Sequence, residues 1–297
     1  MSFKKEDIVF IINPHSGKKK PESLLKRIKK IDPSFDIHIT NSIEDIDALA
    51  KTIIDKYKVF VIAGGDGTIN HFANYLFNKK DKIMAVIPRG SGNGFAKELG
   101  FINNIKKLIN HIYEGKTLYV DVIEINGRKF INAAGIGFDS CVAHLFAQRK
   151  NRGLSGYIAS TLKCMRKFKS FNAKLQFDHI NIDDNFKMVT LANTRQFGNN
   201  ALIAPKANPS SGKLDIVLVK PFPLYYFPVF IVNMFAGKIK ESKYISYHQT
   251  NSDIEIEADY NKFHIDGDPI EFDTTTLIKI HPGSLKIIDT GKISYSK

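Results

Sequence analysis

Cysteine is nearly absent and tryptophan wholly so: the 297 residues contain only Cys141 and Cys164, and no tryptophan. Two cysteines make no zinc pattern, and their sparing use fits a reduced compartment. The nine histidines show no H-x-x-x-H spacing, so none is assigned to a metal or to catalysis. No uninterrupted apolar run reaches the length that crosses a bilayer. The first apolar stretch, Ile8–Ile12, is too short for a signal peptide and directly follows Glu6 and Asp7. A cytoplasmic location is the expectation. The chain also lacks internal repeats, low-complexity arms and disordered linkers. It has no G-x-x-x-x-G-K-[ST] loop and no G-x-G-x-x-G fingerprint, which removes the P-loop and Rossmann readings.

Acidic residues are outnumbered, 30 against 43 lysines and arginines, for a net charge of +13. A solvated basic surface is one explanation; attraction to a polyanion is the other. Denser basic stretches lie at Lys18–Lys20, Arg149–Arg152 and Lys163–Lys169. No zinc-finger or aromatic-basic RNA-binding pattern accompanies them. The expected partner is therefore an anionic membrane surface and not nucleic acid.

What is present has two grammars. Up to about residue 115, apolar strands alternate with amphipathic helices. Strands are expected at 7–13, 36–40, 57–63 and 82–88. Helices are expected at 22–31, after an N-cap at Ser42, over 68–77, near 94–99 and over 104–113. Such alternation means a parallel sheet covered on both faces, with ligands at the carboxyl ends of the strands. Asn13–Gly17, Thr40, Gly64–Thr68 and Gly90–Gly94 all fall at such ends. After about 117, strand follows strand: a hairpin at Asn126-Gly127, helices over 138–150 and 154–168, and a turn around Asp183-Asp184-Asn185. Strands are then expected at 213–220, 243–248, 253–258, 262–265 and 275–280. This predicts an antiparallel sandwich or barrel, with a boundary near 117–122.

The sharpest local signal is GGDGT, residues 64–68. Three glycines around Asp66 exceed the needs of an ordinary turn and suggest close approach of an anion such as phosphate. Asp66 would then act through Mg²⁺ or on a hydroxyl; the plainer alternative is a helix cap. The segment 221–238, PFPLYYFPVFIVNMFAGK, is the most apolar. Its three prolines and its length argue against a membrane span. It reads as a helix packed on the core, or else as a wall of an acyl-chain site or a membrane-dipping edge.

In order, the chain carries NPHSG (13–17), GGDGTIN (64–70), PRGSGNGFA (88–96), NAAGIGFDS (132–140), IAPKANPSSGKLDI (203–216) and HIDGDP (264–269). GGDGT alone is shared with NAD kinases and phosphofructokinases; the later motifs are more specific. With them the chain resembles the diacylglycerol kinase catalytic-domain family over nearly its whole length. That family includes soluble bacterial diacylglycerol kinases and sphingosine and ceramide kinases. The resemblance implies an α/β N-terminal nucleotide domain with a parallel sheet (1–120, with 285–297 returning to it). It also implies a C-terminal antiparallel β-sandwich lipid-substrate domain (121–284), with the active site in the cleft between them. The implied activity is transfer of the ATP γ-phosphoryl group to a lipid hydroxyl, with Mg²⁺, by an enzyme peripherally associated with the membrane. A homodimer is left open.

Residue by residue, the resemblance makes Asn13, Pro14, Ser16 and Gly17 the nucleotide loop. Gly64, Gly65, Asp66, Gly67, Thr68 and Asn70 would hold phosphates. Thr40, Ser91, Gly92 and Asn93 would complete the ATP contacts. Asp215 matches a metal-binding position. Asp268 stands where bacterial relatives place the glutamate that takes the hydroxyl proton. Asp66 and Asp121 match two aspartates of a Mg²⁺-linked network whose third member, in G-T-x-N-D-F-A, is Gly94 here. The GSGNG form is similar to sphingosine and ceramide kinases. An NAD kinase, or a non-catalytic lipid- or nucleotide-binding regulator, is the rival reading.

Overall fold

The computed structural model describes residues 3–17, 21–149 and 154–292. Lys18–Lys20 and residues 150–152 of the basic stretches, and residues 293–297 of the returning segment, lie outside them. The chain divides into two compact units: residues up to Val120 together with the chain from Gly283 onward, and Asp121–Pro282.

The first unit runs β1 (Ile8–Ile12), α1 (Pro21–Ile31), β2 (Asp36–Ile39), α2 (Ile43–Ile53), β3 (Val59–Gly64), α3 (Asp66–Leu76), β4 (Ile83–Pro88), α4 (Gly94–Glu98) and α5 (Ile105–Glu114). The strands pair in parallel in the order β2-β1-β3-β4. Every residue of β1 and β3 is buried, whereas the edge strand β2 is only partly covered. Continuous apolar strands are what a sheet covered on both faces requires. Ser42 caps α2 by accepting the Asp45 N–H at 3.1 Å, and Asn104 caps α5 by accepting from Lys107 at 3.1 Å. Helix α3 buries Ile69, Phe72, Ala73 and Leu76 at helical spacing. Because β2 and β3 flank β1 on opposite sides, the chain reverses direction across the sheet between β1 and β3. Sheets of this kind bind ligands at that point.

The second unit contains β5 (Thr117–Ile125, entering from the first unit), β6 (Arg128–Phe130), β7 (Ala133–Gly137), α6 (Phe138–Ala147), α7 (Leu154–Lys167), β8 (Phe171–Phe177), β9 (Ile180–Phe186), β10 (Met188–Ala192) and β11 (Leu214–Val219). There follow α8 (Phe227–Phe235), β12 (Ile245–Thr250), β13 (Ile254–Ala258), β14 (Lys262–Ile265), β15 (Asp268–Glu271) and β16 (Thr275–Ile288). One layer is antiparallel in the order β12-β11-β10-β7-β14-β15. The other joins β9, β8, β13 and the first half of β16, also antiparallel. The last half of β16 belongs to the first unit, where Ile287 pairs in parallel with Met84.

Alternation along β10 and β11 shows how one sheet serves two cores. Val189, Leu191, Ile216 and Leu218 pack into the sandwich with Leu175 and Ile256. Met188, Ala192, Val217 and Val219 point the other way, against Phe138, Val142, Cys164, Phe227, Phe230 and Met234 of the three helices. Side chains two apart share a face, so each strand contributes to both.

Two expectations are corrected. Asp183-Asp184-Asn185 is not a turn; it lies within β9, paired residue for residue with Asn172–Lys174. The turn is at Asp178-His179, with Asp178 at φ +51°. Strand β9 is an edge strand whose side chains are mostly uncovered, so polar residues there cost little, and Lys220 ion-pairs with Asp184. Nor does the reduced state expected of the cysteines hold: Cys141 of α6 and Cys164 of α7 are disulfide-bonded, with Cα atoms 6.1 Å apart. Packing of the two helices on one sheet face brings the sulfurs together.

Candidate active site

Parallel register sets the carboxyl ends of the first unit's strands in a row: Ile39 beside Ile12, Ile12 beside Ala63, and Gly64 beside Pro88. The loops that leave these ends are therefore neighbours. The Asn13 side chain donates to Thr68 Oγ1 at 2.8 Å and accepts from the His15 N–H at 2.9 Å. Ser16 Oγ accepts the Gly65 N–H at 3.2 Å. Arg89 N donates to Gly64 O at 2.9 Å, and Arg89 Nε to Ser16 O at 3.4 Å. So NPHSG, GGDGT and PRGSGNG form one hydrogen-bonded cluster.

The glycines are explained partly by the loops themselves. A Cβ on Gly90 would stand 2.7 Å from the Gly65 Cα, and one on Gly17 would stand 2.1 Å from the Arg89 carbonyl oxygen. Gly17 also has φ +80°, where side chains are strained. Backbone meets backbone here, so close approach by the chain's own loops accounts for some of the glycine that a ligand alone was expected to require.

Asp66 opens α3. Burial pushes its carboxyl above the usual carboxylate range, and the backbone N–H groups of Asn93, Gly94 and Phe95 pull it back. Its Oδ1 is nonetheless buried without a hydrogen-bond partner, as are Thr40 Oγ1 and Asn93 Oδ1. Thr40 sits just past β2, its N–H donating to Ile12 O at 3.0 Å. Buried polar atoms left unpaired are uncommon and call for a partner. Three of them around one sheet edge suit a polar ligand. Ser91 and Gly17 are exposed, while Pro14, Gly65, Asn70 and Gly92 are half-covered.

In the second unit, Asp121 is buried. Its Oδ2 accepts the Gly212 N–H at 2.7 Å, and its own N–H donates to Pro209 O at 2.6 Å. It anchors the loop that leads into GKLDI. Asp215, on β11, is buried opposite Gln249, whose Nε2 donates to it at 3.2 Å. Burial raises its carboxyl to about 6, against the pull of Gln249, Lys206 and Lys213. Asp268 is exposed at the start of β15, paired with Ile265 across the Asp266-Gly267 turn. Both turn residues have positive φ, +49° and +91°, as a tight two-residue hairpin requires.

Among the described residues no group of three or more His, Cys, Asp or Glu could hold a metal ion. Mg²⁺ keeps several waters and is commonly held by one or two carboxylates together with substrate phosphates. Asp66, whose Oδ1 has no partner, fits that mode, in which the nucleotide supplies most ligands, and does not fit a site built from protein alone. Asp66 would offer one carboxylate oxygen, and the ion would neutralise phosphate charge.

Two family profiles match the chain. The diacylglycerol kinase catalytic domain matches residues 7–125, and the YegS C-terminal NAD kinase beta sandwich-like domain matches residues 132–289. The chain belongs to the diacylglycerol kinase catalytic-domain family. A "Probable lipid kinase YegS-like" of Shewanella frigidimarina is 28% identical over 247 residues, 80% of this chain and 78% of that one. A Bacillus subtilis diacylglycerol kinase is 26% identical over 251 residues, 81% of this chain and 82% of that one. A crystal structure of a Bacillus anthracis diacylglycerol kinase superposes with a TM-score of 0.74 at 22% identity, covering 96% of this chain and 97% of that one. An Archaeoglobus fulgidus NAD kinase solved with ATP shares the fold more distantly, with a TM-score of 0.55 at 13% identity, over 96% of this chain and 94% of that one. The expected fold, an α/β domain followed by an antiparallel sandwich, is the fold of these diacylglycerol kinases.

For a kinase of this family the second unit holds polar residues to which the sequence reading assigned no role. The Asp266 carboxylate accepts the N–H groups of Ile131 (3.3 Å), Asn132 (3.0 Å) and Ala133 (2.9 Å), clamping the hairpin that carries Asp268 to the start of β7. Beneath it, Asp139 Oδ2 lies 3.2 Å from His264 Nε2 and accepts from Thr190 Oγ1 at 3.0 Å. All three are buried. The motifs containing them, NAAGIGFDS and HIDGDP, were visible; an aspartate and a histidine on otherwise apolar elements were the available signal. Asp266 lies more than 130 positions from its partners, and only the sheet order joins them.

Proposed function

We propose that this family member is a lipid kinase that transfers the ATP γ-phosphoryl group, with Mg²⁺, to the hydroxyl of a membrane lipid. The observation that carries the reading is the cluster of unpaired buried oxygens, on Thr40, Asp66 and Asn93, around the glycine loops of the first unit. Phosphoryl transfer needs positioning and charge neutralisation more than covalent chemistry. The backbone at the start of α3, from Gly67 on, presents N–H groups to phosphate oxygens, with the helix dipole behind them. Asn13 and Ser16 hold that loop in place through Thr68 and Gly65. Asp268, exposed on a short rigid hairpin, is the proposed base for the acceptor hydroxyl; a carboxylate can take such a proton at hydrogen-bond distance. Asp121 and Asp266 act as positioning residues for the segments that carry Asp215 and Asp268.

Gly94 removes the carboxylate that many bacterial diacylglycerol kinases place beside the GGDGT aspartate, and its backbone N–H faces Asp66 instead. The acceptor is accordingly proposed as a lipid alcohol of the diacylglycerol, sphingoid-base or ceramide type. Work at a membrane surface is the matching location. Purified protein incubated with labelled ATP and Mg²⁺, with separate pools of diacylglycerol, sphingoid base, ceramide and NAD, tests the reading. Label in one lipid pool is expected. Label in NAD alone, or in none, would refute it.

A further inference from the structure

Large exposed apolar side chains concentrate in one place. Of the fifteen among the described residues, five fall within twelve positions: Leu224 (64% exposed), Tyr225 (80%), Val229 (48%), Val232 (66%) and Phe235 (43%). No other stretch of that length holds more than two. Leu224 and Tyr225 lie in a turn of 3₁₀ helix, Leu224–Tyr226, that leads directly into α8. Tyr225, Val229 and Val232 are four and then three apart, so they share one helical stripe. The opposite stripe, Phe227, Phe230 and Met234, is buried against the second unit's helical core. The helix is thus apolar on both sides, one satisfied by the fold and one facing out.

Charge along the chain beside the exposed stripe is mainly positive. Residues 221–240 include no acidic residue. Lys238, Lys240 and Lys243 follow the helix and are exposed, with Glu241 the single acid among them. Lys220, before it, is held by Asp184. An apolar stripe followed by exposed lysines is the pattern of a helix that lies in a membrane interface, its apolar side among the acyl chains and its cations among anionic headgroups. Tyrosine is also the residue type that favours that interface.

We infer that the outward face of α8 and the turn before it docks this protein on an anionic bilayer, with Tyr225, Val229 and Val232 inserted below the headgroups. A second copy of the chain suits the face less well. The five side chains expose on the order of 500 Å² together, below the ~800 Å² per partner of a stable dimer. Two chains of net charge +13 also repel. The inference rests on the lipid-kinase reading only in that a bilayer-held substrate must be met at the bilayer. Its test therefore omits ATP.

Vesicle flotation compares wild type with the triple variant Leu224→Ser, Tyr225→Ser, Val232→Asp, on phosphatidylcholine vesicles with and without phosphatidylglycerol. Wild type is expected to float with the anionic vesicles, and the variant to bind at least about tenfold more weakly while keeping its circular dichroism. Because the chain has no tryptophan, Val232→Trp provides a single fluorescent reporter that does not depend on the triple variant folding. Its emission is expected to shift to the blue on binding and to be quenched by acyl-brominated lipid. Three results would overturn the inference. One is equal binding by the triple variant, and another is a Val232→Trp protein that binds vesicles with its indole emission unquenched. The third is self-association in sedimentation that the triple variant abolishes without any change in vesicle binding. If flotation behaves as expected but no lipid is phosphorylated, the docking face stands and the kinase reading falls.

Discussion

Replacing Asp215 by asparagine should make the protein more stable and less active, and the stability gain should depend on pH. Asp215 is buried on β11, and burial lifts its carboxyl from 3.8 to about 6. In the unfolded chain it ionises near its ordinary value. The folded state therefore binds the proton more tightly, and stability falls as pH rises through the interval between the two values. Roughly two pH units at about 1.4 kcal/mol each is a penalty of ~3 kcal/mol, fully present above about pH 7. At pH 5 about half of it has been incurred, and below pH 4 almost none. Asparagine has nearly the same shape and retains an oxygen to accept from Gln249, so the fold should be unchanged. Urea unfolding followed by circular dichroism should show Asp215→Asn more stable by up to ~3 kcal/mol at pH 7.5, with a gain that shrinks toward pH 4. If Asp215 serves Mg²⁺–nucleotide, the same variant should need more Mg²⁺ to reach half-maximal turnover. A variant no more stable than wild type at pH 7.5, or a gain that does not change with pH, would refute the charge-burial argument.

Three further outcomes can be measured. Asp66→Asn should abolish phosphoryl transfer in a folded protein; an unchanged kcat in a purified variant would remove Asp66 from the site. Asp268→Ala should lower kcat roughly 10²–10⁴-fold, the range for loss of a general base, while a nonhydrolysable ATP analogue binds as before in calorimetry. If near-normal turnover survives, the base lies elsewhere, and Asp66 is the next candidate. The Cys141–Cys164 bridge spans 23 positions, a loop whose closure is worth ~3 kcal/mol in the chain-entropy treatment. Reductant should therefore lower the urea midpoint, and alkylation with mass spectrometry should find no free thiol without it; two labelled cysteines in the untreated protein would show the bridge absent.

How much of this could be read from residues alone depended on distance along the chain. The strands and helices of the first unit were legible because hydrophobic period, caps and turn residues act over a few positions. The buried face of α3, the Ser42 cap and the Asn126-Gly127 turn needed nothing from elsewhere. The motifs that mark the family were equally local. Failures came where a neighbour from far away changed the meaning of a residue. Polar Asp183–Asn185 imitates a turn until β9 is known to be an uncovered edge strand. The contact between Gly65 and Gly90, the grip of Asp266 on residues 131–133 and the meeting of Cys141 with Cys164 all depend on strand order and helix packing. The apolar run at 221–238 could be called core or membrane-facing from composition alone. Folding divides it, burying Phe227, Phe230 and Met234 and leaving Tyr225 and Val232 outside. Apolar content says only that a surface avoids water; which surface covers it is decided by the packing of the whole unit.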